Sequence, residues 1–277
     1  MQKILIVEAG GTKSQIAEII GDNVNEFTMG GLNPNMHDEL YISDYFLALS
    51  KKVTEQADEI HFYGAGTSTK KSQDILQRAA NKFFGKDMNI ESDMMAVCRA
   101  GYGNQSGHAA ILGTGANCCY YDGQQIIEKR SGFGIILGDE GSGAYLGKLF
   151  IQDYLNDLLP KEIQVLVNSE LDLSKEKVIE ATYLGDSASK WLGQFTLFIA
   201  KNRKEVYFKK LIDKNFELFF SQVIRPFKHP VKSIIINGGF AEAFKIELTN
   251  FCKKESLHVQ DIIGASLPGL IAYHQSR

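Results

Sequence analysis

The feature that most constrains this chain is a pattern that occurs twice. A short apolar strand runs into a turn of glycine and threonine, a second strand returns, and a polar turn leads to a third. In the first copy the strands are Lys3–Val7, Gln15–Ile20 and Val24–Met29, joined by Glu8–Lys13 and Gly21-Asp22. In the second they are Ala109–Leu112, Cys118–Tyr121 and Gln125–Lys129, joined by Gly113–Asn117 and Asp122-Gly123. Asp-Gly is a preferred hairpin dipeptide because both central positions of its turn need positive φ. Two meanders, each with its glycine turn after the first strand, predict an internal duplication.

Helical spacing of apolar residues follows each meander. The first half predicts helices over Asp38–Gln56 and Lys70–Phe84, with a strand at Glu59–Tyr63 between them, and Ser92 as N-cap of a helix starting at Asp93. The second half predicts helices over Ser142–Asp157, Lys175–Tyr183, Ser187–Ala200 and Lys204–Val223, a strand at Ser233–Asn237, a helix to about Lys254, and a last one from about Ala265 to Tyr273. Strands alternating with helices predict an α/β fold in two lobes. No Pro/Ser-rich linker separates the halves, so the repeat alone places the boundary: 1–107, completed by 265–277, and 108–264.

Composition narrows the class. Apolar residues make up 44% of the 277 and charged residues 23%, a globular balance. Thirty basic against 33 acidic residues give a net charge of −3, which offers no cationic field for nucleic acid or an anionic membrane. Apolar runs such as Ile4–Val7 are far short of the roughly 18 residues that span a bilayer. The opening segment is too short for a secretory signal, and the expectation is a soluble cytoplasmic protein. Cys98, Cys118, Cys119 and Cys252 show no CxxC spacing, so reduced structural thiols are expected rather than a zinc or iron–sulfur site.

Glycine carries the functional signal: 26 residues against five prolines, clustered after short β-type runs. There glycine lets a ligand approach the backbone. EAGGTKS (Glu8–Ser14) places a carboxylate, the glycines Gly10 and Gly11, the Thr12 hydroxyl and the Lys13 ammonium at one strand end, a nest suited to phosphate. A plain hairpin turn with a surface acid and lysine is the competing reading. GTGAN (Gly113–Asn117) repeats that chemistry, with Thr114 and Gly115 as the second phosphate turn. Asp93 can cap its helix, or accept the proton of an attacking hydroxyl in phosphoryl transfer. In GFGIILGDEGSG (Gly132–Gly143), Asp139 and Glu140 sit among more glycines than capping needs, where short carboxylates can bind sugar hydroxyls. GLNPN offers asparagine amides, and INGGFAEAF brings Gly238 and Gly239 between a strand and a helix, where a nucleobase could stack.

Taken in order, EAGGTKS, GLNP, GAG, ESDMMAVCRA, ILGTGAN, GFGIILGDEGSGAYLG and IIINGGFAEAF resemble the BadF/BadG/BcrA/BcrD-type ATPase family, in its N-acetylglucosamine kinase-like branch. That family belongs to the actin–hexokinase–Hsp70 superfamily. The resemblance covers nearly the whole chain and is strongest over Glu91–Gly147. It implies two RNase H-like α/β lobes around a central cleft, with ATP, Mg2+ and a sugar as ligands and a homodimer left open. By position, Asp93 matches the catalytic base that deprotonates the sugar 6-hydroxyl. Gly10, Gly11 and Thr12, with Lys13 beside them, match the first phosphate motif. Thr114 and Gly115 match the second, and Gly238 and Gly239 the adenosine motif. Asn117, Asp139 and Gly134 match the sugar loops. Asn33 matches a sugar-contacting asparagine, although alignment on the preceding glycine selects Asn35.

One position departs from the family. Glu8 stands where an aspartate normally helps position hydrated Mg2+, and Ala9 where glycine follows. The extra methylene keeps the charge but moves it, and Mg2+ demands near-octahedral geometry; contact through water would absorb the difference. The resemblance thus implies an ATP-dependent kinase of an amino or N-acetylamino hexose, with N-acetylglucosamine first. Its alternatives are an activator-type ATPase of the same family, disfavoured by the cysteine pattern, and a sugar-sensing protein weakened in catalysis at Glu8.

Overall fold

The computed structural model describes residues 2–54 and 56–277; the expectations touching Met1 and Glu55 lie outside them at those two positions. The chain divides into two compact units. One holds the residues up to Gln105 with 123–125 and 265–277, and the other holds 106–122 and 126–264.

The first unit is built on a five-stranded sheet of β1 (Lys3–Ala9), β2 (Lys13–Ile20), β3 (Asn23–Gly30), β4 (Glu59–Gly64) and β5 (Asn89–Ser92), in the order β3-β2-β1-β4-β5. The meander is antiparallel, and β1, β4 and β5 run parallel. Strand β1 lies at the centre, and Ile4 to Val7 are buried without alternation because both faces of the sheet are covered. The edge strand β3 is largely exposed. Leu5, Val7, Phe46, Leu49, Ile60, Phe62, Leu76 and Phe84 form the core between the sheet and the helices Glu39–Lys52 and Lys70–Phe84. Both helices start on side-chain caps, Asp38 and Thr69, and Lys70–Phe84 stops at Gly85 with φ +66°. The helix Asp93–Tyr102 is capped by Ser92, whose hydroxyl accepts from the Met95 N–H.

The second unit repeats that sheet. Its strands β6 (Gly107–Leu112), β7 (Ala116–Tyr121), β8 (Ile126–Ser131), β9 (Ser233–Asn237) and β10 (His258–Ile263) stand in the order β10-β9-β6-β7-β8. Again the meander is antiparallel, and the central strand pairs in parallel with the two later ones. Cys118 and Cys119 sit side by side on β7 and are both buried, which follows from a strand covered on both faces. A phenylalanine-rich core packs against this sheet, including Phe150, Phe208, Phe216, Phe219, Phe240 and Phe244.

Several expected helices are broken. Ser187–Ala200 is two pieces, Ala188–Gly193 and Phe195–Lys201, interrupted at Gln194. Lys204–Val223 is an α-helix over Val206–Phe219 that widens into a π-turn at Phe220–Ile224. The helix after Gly238 is also two, Gly239–Ala243 and Lys245–Lys254, parted at Phe244. Three elements had no expectation: β10, the single turn Gly134–Leu137, and the helix Lys161–Glu170, which starts behind Pro160.

Candidate functional site

Strand register brings the first unit's candidates together. Ala9 pairs with Gly64 and Gly64 with Ser92, so the carboxyl ends of β1, β4 and β5 lie side by side. Ligands of open α/β sheets bind at that edge because the strand-to-helix turns present backbone N–H groups there. The Gly10–Lys13 turn leaves β1 and is exposed. It closes through the Gly10 N–H on the Lys13 carbonyl, 3.0 Å, and is pinned by bonds from Gly31 to Thr12 and from Leu32 to Gly10, each 3.0 Å. Gly31 is packed so close to the Gly11 carbonyl and the Thr12 nitrogen that no β-carbon fits.

Asp93 follows Ser92 at this edge, half-buried in the first turn of its helix, and its Oδ1 accepts from the Met94 N–H at 2.8 Å. Asn33 lies against Gly66, with its Oδ1 accepting from the Asn35 N–H at 2.9 Å. The Asn35 side chain turns instead to the Ser72 hydroxyl, which donates to it at 3.0 Å.

Glu8 lies on β1 two residues before Gly10, with Ser266 and Leu267, at the start of the last helix, Leu267–Gln275, near its carboxylate. Burial raises its pKa from the ordinary carboxylate value, and the nearby polar groups of Ser266 and Leu267 oppose the rise. Oε2 is buried from solvent without a partner. Among the described residues no group of three or more His, Cys, Asp or Glu side chains is arranged for a metal.

In the second unit the carboxyl ends of β6, β9 and β10 also align, Ile111 beside Asn237 and Asn237 beside Ile263. The Gly113–Ala116 turn is carried on the helix Gly143–Leu155, whose first N–H groups donate from Gly143 to Gly113 at 2.9 Å and from Ala144 to Thr114 at 3.1 Å. Thr114 is exposed at its tip. Gly238 has φ +120° and abuts the Leu112 carbonyl, which only glycine tolerates, so the Gly238-Gly239 turn touches the base of the Gly113 turn.

Asp139 is 5% exposed. Burial, reinforced by neighbouring Glu140, raises its pKa, and the nearby backbone N–H groups of Ala116 and Gly134 oppose the rise. Its φ of +66° is strained for a residue with a β-carbon, and Ser131, across the same loop, has φ +69°. Ser131 pairs with Asn117 across β7 and β8, and Gly132 lies against the Asn117 amide. Asn117, Gly134 and Asp139 therefore share one loop cluster with Gly115. Ser131 belongs to it as well and was not singled out in the sequence; a serine before Gly-Phe-Gly at a strand end gives no local sign of positive φ.

No family model and no curated protein matches the chain. Solved structures do. A candidate N-acetylglucosamine kinase of Porphyromonas gingivalis superposes with a TM-score of 0.88 at 29% identity, over 99% of this chain and 99% of that one. A second candidate N-acetylglucosamine kinase, from Chromobacterium violaceum, gives 0.63 at 17%, again over 99% of both chains. A ROK family glucokinase of Streptomyces griseus, in complex with glucose and AMPPNP, gives 0.52 at 16% over 98% of this chain and 97% of its own. What the chain shares across that range is the two-sheet α/β fold that the superfamily resemblance implied, while the BadF/BadG/BcrA/BcrD branch itself is matched by no family model.

Proposed function

We propose that this chain is an ATP-dependent kinase that transfers the γ-phosphoryl group to the 6-hydroxyl of an amino or N-acetylamino hexose, N-acetylglucosamine first among them. The observation that carries the reading is the alignment of Ala9, Gly64 and Ser92, which sets Asp93 at the same sheet edge as the Gly10–Lys13 turn. The full-length likeness to a candidate N-acetylglucosamine kinase supports it.

In the first unit, Gly10, Gly11 and Thr12 offer N–H groups and a hydroxyl to phosphate oxygens, with Lys13 as a nearby cation. Asp93 takes the proton of the attacking sugar hydroxyl, and Asn33 holds a sugar hydroxyl or amide. In the second unit, Thr114 and Gly115 bind phosphate, Gly238 and Gly239 back the adenosine, and Asn117 and Asp139 hold the sugar beside Gly134. Phosphoryl transfer needs little more from a protein than positioning and charge, so rigid turns and one base suffice. The four cysteines are each buried, which counts against an activator ATPase whose cluster needs exposed paired thiolates.

The test is a panel of amino and N-acylamino hexoses, read by ADP release and by product mass. One member is expected to gain a single phosphate with stoichiometric ADP. A panel in which every sugar stays unmodified while ATP is bound would remove the kinase reading.

A further inference from the structure

The loop that carries Asp139 has little apolar anchoring of its own. Phe133, Ile136 and Leu137 are exposed, and Ile135 is its one buried large apolar side chain. Its acid-bearing end is nevertheless held in a costly shape, with φ +66° at Asp139 and +86° at Gly141. The support comes from Asn215, on the helix Val206–Phe219, whose side chain is 0% exposed. Asn215 Oδ1 accepts from the Gly141 N–H at 3.1 Å, and Nδ2 donates to the Ser142 carbonyl at 3.2 Å, both bonds buried. The Ser142 N–H in turn donates to the Asp139 carbonyl at 3.1 Å. Phe219 presses on the same glycine: a β-carbon at 141 would stand 2.6 Å from the Phe219 β-carbon. Residues four apart share a helix face, so one face of this helix meets Gly141 twice, and the helix widens into its π-turn only after Phe219. Directly downstream, Gly143 and Ala144 carry the Gly113–Ala116 turn.

We infer that Asn215 is a positioning residue that holds Asp139 in its strained backbone conformation by gripping Gly141 and Ser142, and that it sets the affinity for the sugar through Asp139. Closed off from solvent, Asn215 acts through the loop rather than on a ligand. The short amide of asparagine offers an acceptor and a donor in one plane, which is what an N–H and a C=O side by side require. A leucine of similar volume would fill the space and leave both backbone groups buried and unsatisfied, a larger loss than that of a hydrogen bond. The loop would then shift to bring those groups to water, and Asp139 would move with it.

The link to the sugar rests on the kinase reading; the grip on the loop does not. The test compares Asn215→Leu with Phe208→Leu, a core change on the same helix whose ring packs on Phe150 and Phe198. Both variants are expected to melt below the wild type. In protein without ligands, amide exchange over 139–144, read by mass spectrometry on peptides, is expected to rise about tenfold in Asn215→Leu beyond any rise in Phe208→Leu. Sugar KM is expected to rise about tenfold in Asn215→Leu with a smaller change in kcat, and to stay within about threefold in Phe208→Leu. Wild-type exchange over 139–144 in Asn215→Leu, or an equal rise in both variants, would overturn the inference. Faster exchange with an unchanged sugar KM would overturn the link to the sugar. A wild type that phosphorylates no sugar removes the kinase reading, and the exchange comparison still decides the grip. If Asn215→Leu does not fold, Asn215→Ala takes its place with the same expectations at smaller size, because the space it leaves can admit water to the two stranded groups. A Gly141 amide that exchanges at the free-peptide rate in the wild type would overturn the inference without any variant.

Discussion

The Asp139 carboxylate stands 3.0 Å from the point that a β-carbon on Gly115 would occupy. The second glycine turn and the buried acid of the Gly132–Gly143 loop are therefore fitted to each other. Gly115→Ala would push the acid out of that fit by a few tenths of an ångström. Sugar KM is expected to rise roughly tenfold with a smaller change in kcat. Steady-state kinetics in sugar, with thermal melting as the control for folding, checks this, and Asp139→Asn is expected to move the same constant. An unchanged sugar KM in both variants would separate Asp139 from the sugar.

Asp93 sits where a base is wanted, yet its neighbours also make it a good helix-start residue. Ser92 already caps that helix, and Oδ1 of Asp93 accepts from the Met94 N–H. An asparagine oxygen can accept that bond, so Asp93→Asn is expected to melt with the wild type. Its kcat is expected to fall by about 10²–10⁴, the usual contribution of a general base. Single-turnover phosphorylation read by product mass measures this. Near-normal transfer would move the base elsewhere.

Much of this arrangement is legible in the sequence, for reasons that differ from residue to residue. The helix Lys70–Phe84 can be read because its apolar residues keep one face and Thr69 and Gly85 mark its ends. Both meanders can be read because their strands are short, apolar and punctuated by glycine. Strand β10 cannot: HVQDII mixes polar and apolar residues, and only its parallel pairing with β9 makes it a strand. The break at Gln194 comes straight after Gly193, a residue that need not end a helix, and the break at Phe244 has neither proline nor glycine beside it. The placement of Glu8 was equally hidden. Its motif suggests a metal carboxylate, while the return of residues 265–277 to the first unit, which brings Ser266 and Leu267 near it, gives no local sign in the sequence.

Gly31 shows how the first phosphate turn is held from outside itself. Its N–H bonds the Thr12 carbonyl, and a β-carbon added to it would fall on the Gly11 backbone. Gly31→Ala forces backbone apart in a packed region, a change that costs about 1–3 kcal/mol. For a protein of this size that is roughly 2–4 °C of melting temperature per kcal/mol. ATP affinity is expected to fall together with stability, because the strained segment is the nest itself. Melting curves and ATP calorimetry on the same preparation test the pairing of the two losses, and a destabilised variant with wild-type ATP affinity would detach the nest from the nucleotide.

The stability of the first unit is expected to decline with acid through one histidine of its last helix. The Tyr63 oxygen and His274 Nε2 are 2.9 Å apart, and Arg99 donates to the same tyrosine oxygen at 2.9 Å. The phenol proton therefore goes to His274, whose Nε2 accepts and whose ring is neutral. Burial, with His61, Arg99 and Arg277 nearby, pushes the His274 pKa down to about 3. The His61 ring is 4.1 Å away, bonds Glu59 at 3.0 Å and is likewise shifted down by burial. An unfolded histidine titrates near 6.5. The folded state thus refuses a proton that the unfolded chain accepts, so the contribution is complete above about pH 6.5 and is lost as the pH falls towards 3. Each excluded proton lowers stability by about 1.4 kcal/mol per pH unit across that window. Melting temperature followed from pH 8 to pH 4 is expected to be flat and then to drop, and His274→Gln is expected to reduce the slope while leaving the part due to His61. A slope unchanged in His274→Gln would show that His274 accepts its proton in the folded state.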